Sequence, residues 1–230
     1  MVVRGSERKA GAELGMRIRT GRIAAVAAAF ALVLGVAGAE AATCKVPSLG
    51  KRHTQPINVK SPDQSAFHEA VLHYVNLERC RNGRVPFASD GRLAKMAAGH
   101  SDGMARTRTF SHKVPRSGYT TMKERLSRAG VKWRAAAENI AKNFVYSING
   151  KPISTKTGGK CVFYYAGSGK QVPKHSYASL AQAAVAQWMN SPGHRKNIMD
   201  RRFNRTGAGL AVDTKSATCG EVYLTQNFAN

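Results

Sequence analysis

The chain has 230 residues, 36 Lys and Arg against 13 Asp and Glu, a formal net charge of +23 and 43% hydrophobic residues. That length allows one domain with a proper core, or at most two small ones. The charge favours acidic partners such as anionic envelope polymers, lipid head groups or nucleic acid, yet no run of five consecutive cations occurs.

Arg17, Arg19 and Arg22 precede an apolar run from Ile23 to Ala39, and Ala-Glu-Ala-Ala follows at 39–42. A basic segment, an apolar segment and an A-x-A site predict a signal peptide over 1–41, with Met16 as an alternative start. The run is short for a membrane span, so no transmembrane domain is expected after its removal. Residues 1–41 hold six of the basic and three of the acidic side chains, which leaves 30 and 10. An exported chain belongs in a secreted or periplasmic setting. Four cysteines, Cys44, Cys80, Cys161 and Cys219, then predict two disulfides. Of three possible pairings, Cys44–Cys80 with Cys161–Cys219 is favoured. The first ties a polar N-terminal tail (42–63) to a helix end, and the second ties an insertion to a hairpin. No CxxC occurs, which argues against thiolate metal sites.

From Gln64 to Arg81 the apolar spacing is helical, with Phe67, Val71, Leu72 and Val75 on one side and Asn82-Gly83 as the stop. A second helix is predicted from Gly91 to Thr107, with Leu93, Met96, Ala97, His100 and Met104 on one stripe. Thr120 or Thr121 can cap a third, short helix that buries Met122, Leu126 and Ala129 and ends at Gly130. Residues 147–177 are rich in Gly, Ser, Lys and Pro around the island CVFYYAG, and predict an insertion containing a hairpin. Ser179 opens a helix that breaks at Ser191-Pro192-Gly193. Two strands follow, TGAGLAVDT and EVYLTQNFA. The expected class is α+β, with helices packed around a small, mostly antiparallel sheet.

Of seven histidines, His112 and His194 are predicted in loops that follow helices, where a scaffold displays functional groups. His100 reads as a buried, hydrogen-bonded core residue. Glu138, in AAENIA, is an acid among small and apolar residues and needs a buried partner. Trp188 reads as core, and Gly207 and Gly209 as points of close approach.

Four blocks in order resemble one family: RLAKMAAGHSDGMARTRTFSHK, ERLSRAGVKWRAAAENIA, AVAQWMNSPGHRKNIMDRRFNRTGAGLAV and YLTQNFA. They are similar to the bacterial branch of the CAP superfamily (cysteine-rich secretory proteins, antigen 5 and plant pathogenesis-related proteins), whose module is also called the SCP domain. The resemblance covers about 64–229 apart from the insertion, so the domain is drawn at 64–230. It implies an α-β-α sandwich with a shallow cleft. His112 matches the family's first histidine, Glu138 with Asn139 its Glu-Asn motif, and His194 its second histidine. The second acid of the fuller pattern falls at Ser191, so a His-Glu-His set remains instead of a tetrad.

Two imidazoles and a carboxylate can bind zinc at His112 and His194 with Glu138 nearby and Ser191 or water at the fourth position. They can also do acid–base work. No nucleophile elbow surrounds Ser111 or Ser191. The favoured function is a secreted module that binds a ligand, a lipid or an envelope polymer. The alternative is a cleft hydrolase, protease-like, with or without a metal. A nucleic-acid reader has charge alone in its favour and is the least supported.

Overall fold

The computed structural model describes residues 2–4, 44–114, 120–148, 150–155 and 161–230. The signal-peptide expectation falls on 1–41, of which only the strand Val2–Arg4 lies within the described residues.

Each main helix starts where a polar side chain meets its free N–H groups. In α1 (Gln64–Arg81) the Asp63 carboxylate accepts from Ala66 N, and Asn82 with Gly83 at φ +62° ends the helix. In α2 (Gly91–Thr107) Asp90 accepts from Arg92 N and Leu93 N, and Arg108 ends the helix in the left-handed region. In α3 (Met122–Arg128) Thr121 and Glu124 form a capping box. The next helix, α4 (Tyr177–Met189), is capped by Ser176 through Ser179 N. Ser179 is therefore the third residue of the helix, not its opener, because two serines three apart compete for the cap and the earlier one has extended backbone.

The sheet runs β1 (Val2–Arg4), β3 (Ala135–Phe144), β7 (Glu221–Ala229), β6 (Arg205–Asp213), β2 (Ala88–Ser89). All pairs are antiparallel except β2 with β6. A separate pair, β4 (Ile153–Ser154) and β5 (Tyr164–Tyr165), lies within 147–177. The class is α+β, as expected. Helices α1, α4 and α5 (Pro192–Met199) cover one face, where Phe67, Val75, Leu180 and Trp188 pack on Ala137, Ala141 and Leu224. Helices α2 and α3 cover the other, where Leu93, Met96 and Leu126 meet Ala136.

Two features bring α2 down onto β6. A Cβ at Gly207 would overlap the backbone of Leu93 and Ala94, and one at Gly209 that of Ala97 and Ala98. The glycines thus permit the close approach read from their spacing. The edge of β6 beyond short β2 is covered by α1. Gln64 exchanges two hydrogen bonds with Leu210, at 2.8 and 3.1 Å, and Ala208 N donates to His68 Nδ1.

Cys44–Cys80 and Cys161–Cys219 are both bonded, the pairing favoured above. Three readings are corrected. The strand β3 was not expected, because its first half is Ala-Ala-Ala-Glu-Asn, with no β-branched residue to mark it. His194 follows α4 but does not sit in a loop. Pro192 takes the first position of α5, where its missing N–H costs nothing, and His194 sits in the first turn. The segment 44–63 is no loose tail. A short 3-10 helix (Lys51–Thr54) forms, Ile57 is buried, and His53 Nε2 lies 2.9 Å from Glu69. The disulfide holds this segment beside α1, and its few apolar side chains finish the core.

Candidate functional site

Strand alternation sends Glu138 and Asn139 to opposite faces of β3. Glu138 enters the layer beneath α2 and α3 and is 1% exposed. Its carboxylate is held from several sides. His112 Nδ1 is 2.9 Å from Oε1, and Arg125 Nη2 donates to Oε2 at 2.6 Å. With its amide oriented to satisfy both neighbours, Asn227 on the paired strand donates to Oε2 at 3.0 Å. His100 Nε2 lies 3.6 Å from Oε1. Burial works against the ionised carboxyl. The His112 hydrogen bond and the neighbouring His100 and Arg125 outweigh it and hold Glu138 below the usual carboxylate range.

On the other face, Asn139 ties β3 to α5. Its Nδ2 donates to the His194 carbonyl at 3.3 Å, and its Oδ1 accepts from Asn197 Nδ2 at 2.9 Å. Trp188 Nε1 donates to the Ile140 carbonyl at 3.1 Å. The adjacent Glu-Asn pair thus fixes two walls at once: the His112 side chain from one face, and the backbone that carries His194 from the other.

Those walls enclose a shallow cleft of about 460 Å³, lined by Phe110, Ser111, His112, Lys113, Ile140 and His194. Phe110 is half exposed at its mouth. The bond from His112 Nδ1 to a carboxylate selects the tautomer protonated at Nδ1 and leaves Nε2 as the ring's remaining polar atom. Burial, and then the nearby His112, push the His194 pKa down, which favours a neutral imidazole.

Of the residues expected at the site, His112, Glu138, Asn139 and His194 come together. Ser191 takes the N-cap position of α5, makes no side-chain cap hydrogen bond and is not a wall of the cleft. The zinc expectation finds two imidazoles without a third ligand. Glu138 is committed to His112 and Arg125, and among the described residues no group of three or more His, Cys, Asp or Glu side chains is placed to hold a metal. These residues do not fit a zinc centre as they stand.

Sequence reasoning missed Arg125 and assigned His100 only to the core. Arg125 shares a helical stripe with Met122, Leu126 and Ala129, and that spacing was the available signal that its guanidinium is buried. His100 is 1% exposed, and burial pushes its pKa down to about 4. Neither of its ring nitrogens makes a well-formed hydrogen bond; the Ser111 backbone offers only a weak contact. The expectation of a hydrogen-bonded core histidine is met in burial and not in bonding. Asn227 had no local signal, since its role comes from its register opposite Glu138.

Residues 124–228 match the family described as CAP, the cysteine-rich secretory protein family. Two curated relatives from Bacillus subtilis are each 28% identical. The uncharacterized membrane protein YlbC aligns over 72% of this chain and 35% of its own length. The uncharacterized protein YkwD aligns over 63% and 42%. The chain therefore spans less than half the length of either. A crystal structure of an extracellular protein containing an SCP domain, from Bacillus anthracis, is 26% identical. It covers 72% of this chain and 41% of that one, with a TM-score of 0.49.

Proposed function

This chain carries a CAP-superfamily domain, and from that premise we propose that it is an exported binding module whose ligand site is the His112–Glu138–His194 cleft. The observation that carries this reading is the state of Glu138. It is buried and committed to several partners, so it organises the walls instead of facing the cleft. Among the described residues no hydroxyl or thiol is hydrogen-bonded to the ring of His112 or His194, as an activated nucleophile requires. The cleft offers imidazole edges for hydrogen bonding, the apolar faces of Phe110 and Ile140, and the cation of Lys113. That combination suits an amphiphilic or anionic component of the cell envelope.

Export is supported by the A-x-A pattern after the apolar run and by two disulfides, which persist in oxidising compartments. Among the described residues no helix is long and apolar enough to cross a membrane. Cleavage near residue 41 removes the three-residue β1. It leaves the sheet intact, because β3 is paired with β7 from Ala136 to Phe144.

The test is co-sedimentation of the chain with envelope polymer and with lipid vesicles, beside a His112→Ala/His194→Ala variant of unchanged thermal stability. Binding lost in the variant supports the cleft as ligand site. Equal sedimentation of both proteins refutes it. Release of soluble fragments by the wild type alone makes the cleft a hydrolase.

A further inference from the structure

A groove of about 950 Å³ runs along the outer edge of β6, between α2 on one side and the segment that leads into α1 on the other. The register of β6 against β7 is unbroken from Arg205 to Asp213, so its backbone groups alternate between β7 and the outer edge. The outward groups belong to even-numbered residues. The Asn204 and Thr206 carbonyls accept from Ala88 N and Asp90 N, Ala208 N donates to His68, and Leu210 exchanges both its bonds with Gln64. That cover ends at Leu210, and Val212 comes next in the alternation. Among the described residues neither its N–H nor its carbonyl has a partner on the outer side. Val212 is only partly buried and lines the groove.

A short stretch of open edge beside a hairpin is ordinarily left to water. Here two walls make the difference, because they sort the side chains of an added strand. Odd-numbered residues of β6 face α2: a Cβ at Gly209 would overlap Ala98, Ala211 packs with Met104 and Ala105, and Asp213 pairs with Arg108 at 2.7 Å. Even-numbered ones face the layer of α1, where Ala208, Leu210 and Val212 join the core. Side chains of a strand laid beside Val212 therefore alternate between the two walls. One wall offers the apolar side chains of Val59 and Pro62, and the other the α2 stripe of Lys95, Ala98, Asp102 and Ala105. Most of the charge in the lining is already matched. Arg106 pairs with Asp102 and Arg108 with Asp213, and Lys215 lies in the field of Asp213. Lys95, on the α2 wall, and Lys60, next to Val59, make no ion pair among the described residues.

We infer that the β6 edge binds an extended peptide of alternating apolar and acidic residues, added to the sheet as an antiparallel strand through Val212. The antiparallel sense follows from the single outward residue. One facing residue then accepts from the Val212 N–H and donates to its carbonyl, whereas a parallel strand bonds through the residues on either side. Directly opposed residues share a face, so the residue opposite Val212 points to Val59 and Pro62 and is apolar. Its two neighbours point to the α2 wall, where a carboxylate meets the unpaired Lys95. The backbone bonds dock the strand, and the two walls select its side chains. The groove shares no lining residue with the cleft and does not depend on the cleft's ligand.

The probe is the end-blocked hexapeptide Val-Glu-Val-Glu-Val-Glu, titrated into the chain by calorimetry, with hydrogen exchange of the Val212 amide read by NMR. Two N-methylated forms accompany it. Methylation at every Val removes the N–H groups that turn toward β6, and methylation at every Glu removes those that turn away. Affinity should fall at least tenfold for the Val-methylated form and less than threefold for the Glu-methylated one. Exchange at Val212 should slow at least tenfold at saturation. Lys95→Glu should weaken binding at least fivefold, and Lys170→Glu, the same charge change at an exposed site in the insertion, less than twofold. The His112→Ala/His194→Ala variant should bind the peptide within twofold of the wild type, whatever becomes of the cleft. The inference is overturned by any of five results: no binding at millimolar peptide, equal losses from the two methylation patterns, an unprotected Val212 amide at saturation, equal affinity for Val-Val-Val-Glu-Glu-Glu, or loss of binding in the histidine variant.

Discussion

Arg125 Nη2 stands 2.6 Å from Glu138 Oε2, and both side chains are more than nine-tenths buried. The pair joins α3 to β3, so the helix that follows His112 in the chain and the strand that orients its ring are coupled through one contact. Neither charge is solvated, and each depends on the other.

Arg125→Met should therefore destabilise the fold by about 3–5 kcal/mol, since it leaves a buried carboxylate without its cation. Glu138→Gln should lose less on its own, because the amide can still accept from His112 or Arg125. Urea unfolding of both single variants and the double should show a coupling energy above about 0.5 kcal/mol. Strict additivity would mean that the two side chains act independently.

Acid should weaken the protein through the same cluster. The folded pKa of His100 is about 4, against an ordinary 6.5. Between those values the unfolded chain holds a proton that the folded chain does not. His100's contribution is full above about pH 6.5 and is lost as pH falls toward 4, by about 3 kcal/mol at most. Glu138, lowered from 4.5, contributes above its ordinary pKa and loses that contribution as pH falls through its folded value. The urea midpoint should drop between pH 7.5 and pH 4.5, and His100→Gln should show a smaller drop. An identical pH dependence in the variant would remove His100 as the cause.

The two glycines of β6 should tolerate nothing larger. Gly209→Ala places a methyl against the α2 backbone at Ala97 and Ala98 and should cost at least 1–3 kcal/mol of overpacking (roughly the range for inserted methylenes). Gly99→Ala, in open space within α2, should stabilise by up to about 1 kcal/mol. Thermal melts of both variants separate these effects. A neutral Gly209→Ala would show that α2 can lift away from the sheet.

Zinc titration of metal-free protein by calorimetry should give the same weak signal for the wild type and for His112→Ala/His194→Ala. Glu138 is occupied by His112 and Arg125, and two imidazoles alone make a poor zinc site. Tight binding that vanishes in the variant would show that Glu138 exchanges its partners for the metal.

Reduction should reveal what the disulfides hold. Cys161–Cys219 spans 58 residues and Cys44–Cys80 spans 36. Each should contribute about 2–4 kcal/mol. Cys44→Ser/Cys80→Ser should also free the segment around Ile57, visible as faster hydrogen exchange there than in α2. Unchanged exchange would mean that Ile57 and His53 anchor it without the bond.

The sequence alone determined whatever depends on neighbours along the chain. Thr121, one of two threonines offered as a cap, marked the start of α3, because a cap bonds to an amide two or three residues away. The 3.6-residue stripes located the buried faces of α1 and α2, and alternation located β6 and β7. The His-Glu-His set was legible through a resemblance in four ordered blocks, not through spacing. Tertiary structure decided the rest. Alanines carry no β signal, so β3 exists because β7 pairs with it along nearly its whole length. Arg125, Asn227 and His100 reach Glu138 from a helix, a strand and another helix far apart in sequence. Their partnership follows from burial, because a carboxylate removed from water must find its donors wherever the packing brings them.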